Sequence, residues 1–358
     1  MSSISANEKT SDASVDRSTY GIHAHLNGLS HVVINVSDLE RAVEFYEQVW
    51  PVRRHCRING PAQAYRALGI EHGECEGWIL RSNSAERPPG GVQAENPPRD
   101  VHLIQWKTPG PVGTPYAEAN HVGIYRHNTL VGDVDAGYER VVANGGRPYG
   151  EPSRILLTPE GFSVRCFGFR DPDGSTLEMI GPDVPEPDYP GSLHHCNINC
   201  TDLARSYRFY RNVLGLDTGL WYAPGKPQPV TNGSLGDSLR NPDGSAYAGE
   251  EMEFAANLMI PRTDWRNPLD VLEWTLPKPF GNAYESPLNL GISRVALEVD
   301  DIEAARRKLV DTGHGPVSEI DHWDMGEFGE RRVVVLRDPD GVLLELIEQP
   351  PVPPSPLD

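Results

Sequence analysis

The sequence predicts an α+β fold built from four tandem copies of one strand–helix–strand unit. Three observations predict it. A short apolar strand followed by Asp and an amphipathic helix occurs four times, a related closing strand ends each copy, and matching linkers follow the first and third copies. Copies three and four therefore repeat the arrangement of copies one and two.

Each copy opens with a strand that leads into an Asp at a helix N-cap position. The first reads His31-Val-Val-Ile-Asn-Val-Ser-Asp38-Leu. The four opening segments are His31 to Asp38, Arg126 to Asp133, His195 to Asp202 and Arg294 to Asp301. The periodic segments after them predict helices over 40–49, up to 142, over 204–214 and up to 310. The first and third helices share a Phe-Tyr pair.

The closing strands place a polar residue at one equivalent position. These residues are His102, Glu178, Asp270 and Glu345. In copies two and four the strand follows the turn Arg-Asp-Pro-Asp-Gly, at 170–174 and 337–341, which is typical of a tight hairpin. Copies one and three are instead followed by linkers that begin at Trp106 and Trp274.

The repeat divides the chain into two halves at a Pro- and Asp-rich boundary over 181–191. We expect an N-terminal domain over 26–183, with modules at 26–107 and 119–183, and a C-terminal domain over 190–349, with modules at 190–276 and 288–349. The duplicated linkers predict that module one pairs with two and module three with four. Residues 1–25 resemble a flexible tail and residues 350–358 a Pro-rich one.

Composition excludes several classes of partner. The net charge of −19 argues against nucleic-acid binding or a polybasic membrane contact, which need clustered Lys and Arg. No apolar run approaches the ~18 residues of a membrane span, and the polar N-terminus has no signal-peptide core. The five cysteines form no CxxC pair, which favours reduced, buried thiols in a cytoplasmic protein.

The pattern His-x-x-x-x-Val-x-Asp-Leu, then Phe-Tyr, then Asp-Pro-Asp-Gly-x-x-Leu-Glu resembles the vicinal oxygen chelate superfamily, which includes glyoxalase I, bleomycin-resistance proteins and extradiol dioxygenases. The resemblance covers roughly residues 29–348. It implies βαβββ modules that pair into two curled mixed sheets with outer helices, each around a shared cavity. It also implies metal ligands on the first and last strands of paired modules.

Applied to this chain, the resemblance gives two candidate sets. We predict that His31, His102 and Glu178 hold a divalent metal, because two histidines and one carboxylate are the ligands of open-sited non-haem iron enzymes. Fe(II) is the expected metal, with Mn, Zn, Co or Ni as alternatives. The alternative set in the C-terminal half is His195, Asp270 and Glu345.

An Arg replaces one ligand position in each half. Arg126 is predicted to bind substrate beside the metal, since a guanidinium does not ligate a metal but pairs with an oxyanion. Arg294 either faces a second cavity or pairs with Asp270 and Glu345. His127 lies on the helix side in strict register and becomes catalytic only if its strand carries a bulge. The insertion over 221–249 resembles a lid or rim loop.

These observations lead to a metal-dependent enzyme that acts on a small oxygen-chelating substrate. An atypical Fe(II) extradiol-type dioxygenase, with O2 as co-substrate, is the first reaction class, and a glyoxalase-like lyase or isomerase is the second. A non-catalytic protein that sequesters a small molecule is the remaining alternative. A homo-oligomer is compatible with each of these alternatives. The sequence does not indicate the substrate.

Overall fold

The computed structural model describes residues 21–82, 100–230, 235, 238–260 and 268–348. Each of the four predicted units is present, with a helix after its opening strand. The helices are α1 (Leu39–Val49), α2 (Val134–Ala143), α3 (Leu203–Arg208) and α4 (Ile302–Asp311). The third continues as a π-helical turn over Phe209–Val213, so its predicted extent to about residue 214 is confirmed although its geometry changes.

All four predicted N-caps are confirmed. The side chain of each capping Asp accepts a hydrogen bond from the backbone N–H three residues later, at 2.9–3.1 Å. The capping residues are Asp38, Asp133, Asp202 and Asp301. This bond satisfies one of the N–H groups that a helix start leaves without a partner, which fixes where each helix begins.

The strands follow the modules in chain order. Module one contains β1 (Leu26–Asn35), β2 (Val52–Ile58), β3 (Gln63–Tyr65), β4 (Ile70–Ser82) and β5 (Asp100–Thr108). Module two contains β6 (Gly123–Leu130), β7 (Arg147–Pro148), β8 (Ser153–Leu156), β9 (Ser163–Arg170) and β10 (Thr176–Gly181). Module three contains β11 (Ser192–Asn199), β12 (Asp217–Tyr222), β13 (Gln228–Pro229), β14 (Glu251–Ile260) and β15 (Leu269–Leu276). Module four contains β16 (Gly291–Val299), β17 (Asp321–Asp324), β18 (Glu330–Arg337) and β19 (Leu343–Glu348).

The strands form two curled mixed sheets, and their order corrects the predicted pairing. The first sheet runs β17-β18-β19-β16-β1-β5-β4-β2, and the second runs β12-β14-β15-β11-β6-β10-β9-β7. β1 pairs antiparallel with β16, and β6 pairs antiparallel with β11. Module one therefore joins module four, and module two joins module three. The prediction of pairs one–two and three–four is wrong, because the duplicated linkers reflect sequence duplication rather than strand contact.

Modules that are consecutive in sequence meet instead through the Asp-Pro-Asp-Gly turns. Asp171 accepts hydrogen bonds from the backbone N–H groups of residues 173, 174 and 175 and from the Tyr46 hydroxyl of module one, the last at 3.0 Å. Asp338 accepts the Tyr210 hydroxyl at 2.9 Å in the same way. The turn of module two is therefore hydrogen-bonded to helix α1, and the turn of module four is hydrogen-bonded to the π-helical turn that continues α3. This contact explains why the Phe-Tyr pair and the turn occur in alternate copies.

The apolar faces separate into three buried clusters. The largest joins the four helices to the strand faces beneath them, including Val32, Ile34 and Val36 of the first unit. A second cluster fills the opposite face of the first sheet, and a third lies on the opposite face of the second sheet. Strand alternation therefore places helices on one face and the candidate cavities on the other.

The chain ends differ from the predicted tails in part. Ile22 is fully buried, and His23 Nδ1 lies 2.7 Å from the carbonyl oxygen of Gly215, so residues 21–25 belong to the folded body rather than to a flexible tail. Residues 1–20 and 349–358 lie outside the described residues. In the described part of the chain, every helix is too short or too polar to span a bilayer.

Candidate functional site

The first and last strands bring the eight predicted positions together in two groups of four. The first cluster, on the first sheet, consists of His31, His102, Arg294 and Glu345. The second cluster, on the second sheet, consists of Arg126, Glu178, His195 and Asp270. Each cluster takes residues from both of its paired modules. Both predicted metal sets are therefore divided between the two sheets.

The second cluster is built around an ion pair. Arg126 Nη1 lies 2.8 Å from Glu178 Oε1, and Arg126 Nε donates to Asn197 Oδ1 at 3.1 Å. Strand β11 supplies both Asn197 and His195, while β6 and β10 supply Arg126 and Glu178. Because β6 and β11 run side by side with Arg126 opposite Asn197, the guanidinium is held between two modules.

Asp270 is the second carboxylate of this cluster. Its Oδ2 accepts the Tyr222 hydroxyl at 2.6 Å and a hydrogen bond from the Asn197 amide, and it lies 3.7 Å from His195 Nε2. Strand β15 places Asp270 directly beside Asn197. The Asn197 amide therefore bridges the guanidinium of Arg126 and the carboxylate of Asp270, which fixes both side chains.

Burial perturbs both acids of the second cluster. Desolvation raises the pKa of Asp270 to about 7, although the Tyr222 hydroxyl and Arg126 act in the opposite direction. Desolvation also raises the pKa of Glu178, against the attraction of Arg126. Glu178 Oε1, Asp270 Oδ1 and Arg126 Nη1 are buried and make no hydrogen bond, although the first and last of these form the ion pair. Such atoms are costly to bury, so they mark a place where a ligand would be stabilised.

A cavity of about 310 Å³ opens above the second cluster. Its polar floor contains Arg126, Glu178, His195 and Tyr222, and its walls are mainly apolar. The wall residues come from strands of both modules and from the insertion, and include Ile155, Leu157, Phe162, Val164, Leu220, Leu235, Phe254, Leu258, Leu272 and Trp274. An apolar enclosure with a few convergent polar groups is typical of a small-molecule site. Residue 235 is the part of the predicted rim insertion that lines it; residues 231–234, 236 and 237 lie outside the described residues.

The first cluster has a different geometry. The rings of His31 and His102 are stacked, with centroids 3.5 Å apart and planes inclined by 12°. Arg294 Nε donates to Glu345 Oε2 at 2.6 Å, and His31 Nε2 lies 3.8 Å from Glu345 Oε1. Of the two pairings considered for Arg294, that with Glu345 is confirmed, and that with Asp270 is wrong because Asp270 lies on the other sheet.

Aromatic side chains pack tightly around this first cluster. The ring of Phe328 lies 5.5 Å from that of His102, and the Arg294 guanidinium lies 5.8 Å from the Trp323 ring. Burial, followed by the charges of Arg294 and Arg331, lowers the pKa of His31 to about 3. The first cluster is therefore part of a dense, neutral core.

The structure separates the predicted site residues as follows. His31 and His102 meet Glu345, whereas Glu178 meets Arg126 on the other sheet, so the predicted set of His31, His102 and Glu178 does not form one site. The alternative set is divided as well: His195 and Asp270 lie together, without Glu345. The physical reason is the pairing of modules one with four and two with three.

His127 does not reach the cavity. Its ring lies 5.4 Å from that of Trp50 at the end of α1, and its Nδ1 is 3.1 Å from the His195 carbonyl oxygen. β6 has register irregularities where it pairs with β11, but they leave His127 on the helix side. His127 thus lies on the helix side of the sheet, as regular strand alternation predicts. Its position does not support the prediction that it is catalytic.

Two residues that hydrogen-bond to the second cluster, Asn197 and Tyr222, were not among the predicted site residues. Asn197 lies on the polar face that strand alternation gives to His195, so that alternation contained the signal for it. Tyr222 is the last residue of β12 and lies at the start of the insertion predicted over 221–249. Nothing in the sequence indicates that its hydroxyl would bond Asp270.

The donor chemistry of the second cluster fits a divalent metal. One imidazole and two carboxylates are available, and each carboxylate has an oxygen without a hydrogen bond, although that of Glu178 is ion-paired with Arg126. The first cluster does not fit, because parallel rings 3.5 Å apart cannot both direct an in-plane lone pair at one ion. Within the described ranges, no three His, Cys, Asp or Glu side chains already surround a common point.

Comparison with known proteins gives the family. The family model of the Glyoxalase/Bleomycin resistance protein/Dioxygenase superfamily matches residues 28–179 and 192–346. The chain belongs to this superfamily. Lactoylglutathione lyase GLX1 from Arabidopsis thaliana is 28% identical over 189 residues, which are 52% of this chain and 54% of that protein. The match thus spans about half the length of the curated relative.

Solved structures support the fold of this superfamily member. Glyoxalase I from Zea mays superposes with a TM-score of 0.55 at 17% identity and covers 91% of this chain and 94% of that one. A putative dioxygenase from Bacillus subtilis gives a TM-score of 0.54 at 14% identity, with 91% and 86% covered. At these identities the likeness concerns the fold.

Proposed function

We propose that this superfamily member is a metal-dependent enzyme whose working site is the cavity of the second sheet. The single observation that carries the proposal is the coincidence of an apolar cavity, lined by Glu178 and His195, with buried carboxylate oxygens at Glu178 and at the adjacent Asp270 that make no hydrogen bond. His195, Asp270 and Glu178 would hold the metal. The substrate is a small molecule that presents oxygen atoms to this floor.

A bound divalent metal would supply Lewis-acid polarisation of the substrate's oxygens. The remaining work belongs to the chain. Arg126 Nη1 contacts Glu178, makes no further hydrogen bond and would donate to a substrate oxygen, while Asn197 holds the guanidinium in place. The Tyr222 hydroxyl orients Asp270, and the apolar walls exclude water. A Lewis-acid lyase or isomerase reaction is the class that this oxygen-rich donor set favours.

The Fe(II) ring-cleaving dioxygenase is the second candidate. The observation that favours it is the composition of the first cluster, where two histidines and one carboxylate converge, namely His31, His102 and Glu345. This candidate requires the stacked rings to turn apart and Glu345 to leave Arg294. It predicts iron retention and O2 consumption that depend on His102 and persist in Glu178→Gln.

The test of the first candidate is metal content, measured on protein purified without chelator. Glu178→Gln and Asp270→Asn should each lower the retained metal, because an amide oxygen ligates without charge. Glu345→Gln is the matched control, since it occupies the equivalent position on the first sheet. We expect about one equivalent in the unaltered chain, in line with a site made by one set of ligands. Metal-free protein that nonetheless binds cavity ligands without turnover would contradict the enzyme and support the sequestering protein.

Turnover is measured on the same preparations. Lactoylglutathione tests the activity named for the Arabidopsis relative, and a catechol with O2 tests ring cleavage. Activity that is lost with Glu178→Gln and retained with Glu345→Gln would assign the reaction to the second sheet. The opposite pattern would assign it to the first sheet and overturn the proposed site.

A further inference from the structure

We propose that the second-sheet cavity selects an uncharged molecule with a hydrocarbon body and a single hydroxyl-bearing end, which meets Arg126 and Glu178. The inference deepens the proposed function by naming a substrate class, and it rests on that function's choice of cavity. It is argued from the walls and the ion pair, and its test is made both without metal and with Mn²⁺.

The walls carry the first part of the argument. Among the residues that line the cavity, the charged ones are Arg126 and Glu178, and these pair with each other on the floor. The surfaces that surround the body of a ligand are aliphatic or aromatic, for example Leu258, Leu272 and Trp274. Burial of hydrocarbon against such walls contributes roughly 25 cal/mol per Å². A charge placed against these side chains would lose its hydration and find no partner among them; His194 and His195 are the lining residues that carry an imidazole.

The mouth of the cavity extends the apolar surface to solvent. Phe162 and Leu220 both line the cavity, yet 54% of Phe162 and 39% of Leu220 remain exposed. Phe162 belongs to the turn between β8 and β9, where its backbone carbonyl accepts from Leu157 N at 2.7 Å. Large apolar side chains that are exposed to solvent at a cavity entrance favour the entry of an apolar molecule.

The polar residues on the cavity floor determine which polar group the ligand should carry. Because Arg126 and Glu178 neutralise each other, the floor does not present a net positive charge to an anion. The two atoms of this ion pair, the donor Arg126 Nη1 and the acceptor Glu178 Oε1, make no further hydrogen bond. A hydroxyl group can accept from the first and donate to the second, whereas a carboxylate can only accept. The expectation that Arg126 suits an anionic ligand is therefore replaced by one for a neutral hydroxyl.

The cavity volume limits the size of the body. At about 310 Å³ it lies at the small end of the range for ligand pockets. It suits a molecule of one or two fused rings or a compact branched aliphatic chain. A long, multiply charged conjugate would have to leave most of its length outside the mouth.

The test uses a matched pair of probes, 2-naphthol and 6-hydroxy-2-naphthoate. They share the ring system and the hydroxyl and differ by one distal carboxylate. Binding is measured by calorimetry near neutral pH on the full chain, both after chelator treatment and after loading with Mn²⁺. We expect 2-naphthol to bind more tightly by on the order of tenfold or more, because the carboxylate must be desolvated against apolar walls. Equal or tighter binding of the naphthoate, or no binding of 2-naphthol, would overturn the proposal.

A variant pair locates the selection at the cavity. Phe162→Arg places a cation at the mouth, and the fold should tolerate it because the side chain is mostly exposed. It should shift the binding ratio toward the naphthoate. Val184→Arg is the control, since Val184 is 75% exposed and lies outside the cavity lining. An unchanged ratio in Phe162→Arg, or the same shift in Val184→Arg, would contradict the assignment.

The two proposals fail separately. If the chain retains no metal but the chelated protein still prefers 2-naphthol, the metal-dependent function fails and the ligand class stands. If metal is bound through Glu178 and Asp270 but the naphthoate binds as tightly as 2-naphthol, the ligand class fails and the metal site stands.

Discussion

At the level of single residues, the two clusters show that equivalent positions can acquire opposite roles. Arg126 and Arg294 each pair with a glutamate on the neighbouring last strand, at 2.8 and 2.6 Å. In the second sheet the pair lies at the floor of a cavity, whereas in the first it is covered by Trp323. The difference is made by the surrounding side chains, since the strands that carry the two pairs are related by the repeat.

The neutral histidines of the first cluster predict acid sensitivity. An unfolded histidine takes up a proton near pH 6.5, but burial lowers the pKa of His102 well below that value. Below about pH 6.5 the unfolded state therefore binds more protons than the folded state, and the free energy of unfolding falls as the pH falls. Each such histidine contributes a slope of about 1.4 kcal/mol per pH unit.

His102→Leu should remove the contribution of one histidine to the pH dependence of the free energy of unfolding, because leucine matches the apolar surroundings and cannot be protonated. Urea unfolding between about pH 6.5 and pH 5 would measure it. His322→Leu is the control, since His322 is exposed. A pH dependence in His102→Leu as steep as that of the unaltered chain would show that His102 is already charged in the fold.

At the level of elements, the Asp-Pro-Asp-Gly turn does more than close a hairpin. Asp171 gathers three backbone N–H groups of its own turn and the hydroxyl of Tyr46 from the preceding module. Asp173 bonds the backbone and hydroxyl of Ser37 ahead of helix α1. The turn is therefore a joint between modules that do not share a sheet.

Removal of this joint should destabilise the chain. Asp171→Ala leaves several buried donors without an acceptor, and we expect a loss of about 3 kcal/mol or more in the free energy of unfolding. Tyr46→Phe should lose about 1–2 kcal/mol, and the double variant should lose less than the sum. Chemical denaturation of the four proteins gives these values.

The control for this prediction is Asn241→Ala. Asn241 begins a related turn, but its side chain bonds only within that turn, to Ser245 and Ala246. It should lose less than about 1 kcal/mol. An Asp171→Ala variant no less stable than Asn241→Ala would mean that the joint has no energetic role.

At the level of the whole molecule, each sheet contains strands from both halves of the sequence. The first sheet joins modules one and four, so residues 21–190 and 191–348 each contain only one side of each sheet. Either half expressed alone would expose the edges of β1 and β6, or of β11 and β16, which are unpaired strands prone to association.

We therefore expect each half to be unfolded or self-associated by itself and to form a folded complex when the two are produced together. Size-exclusion chromatography and thermal unfolding of the separate and combined halves would measure this. A cooperative, monomeric transition in either isolated half would contradict the pairing described here.

Much of this architecture was predictable, and the exceptions have a common cause. The four helices, their Asp caps and the polar positions of the terminal strands follow from local patterns, because capping and strand alternation depend on neighbouring residues. Pairing of modules depends on contacts between residues far apart in sequence, such as Arg126 with Asn197 and Val32 with Val295. Linker similarity carries no information about such contacts, so Glu178 was assigned to the wrong histidines.

The central claim is that the working site lies on the second sheet, at Glu178, His195 and Asp270. Anomalous X-ray diffraction from crystals grown with Mn²⁺ tests it most directly, because the ion is located without reference to activity. We predict one peak at about 2.0–2.3 Å from His195 Nε2 and from carboxylate oxygens of Glu178 and Asp270. A peak between His31, His102 and Glu345, with none on the second sheet, would contradict the claim.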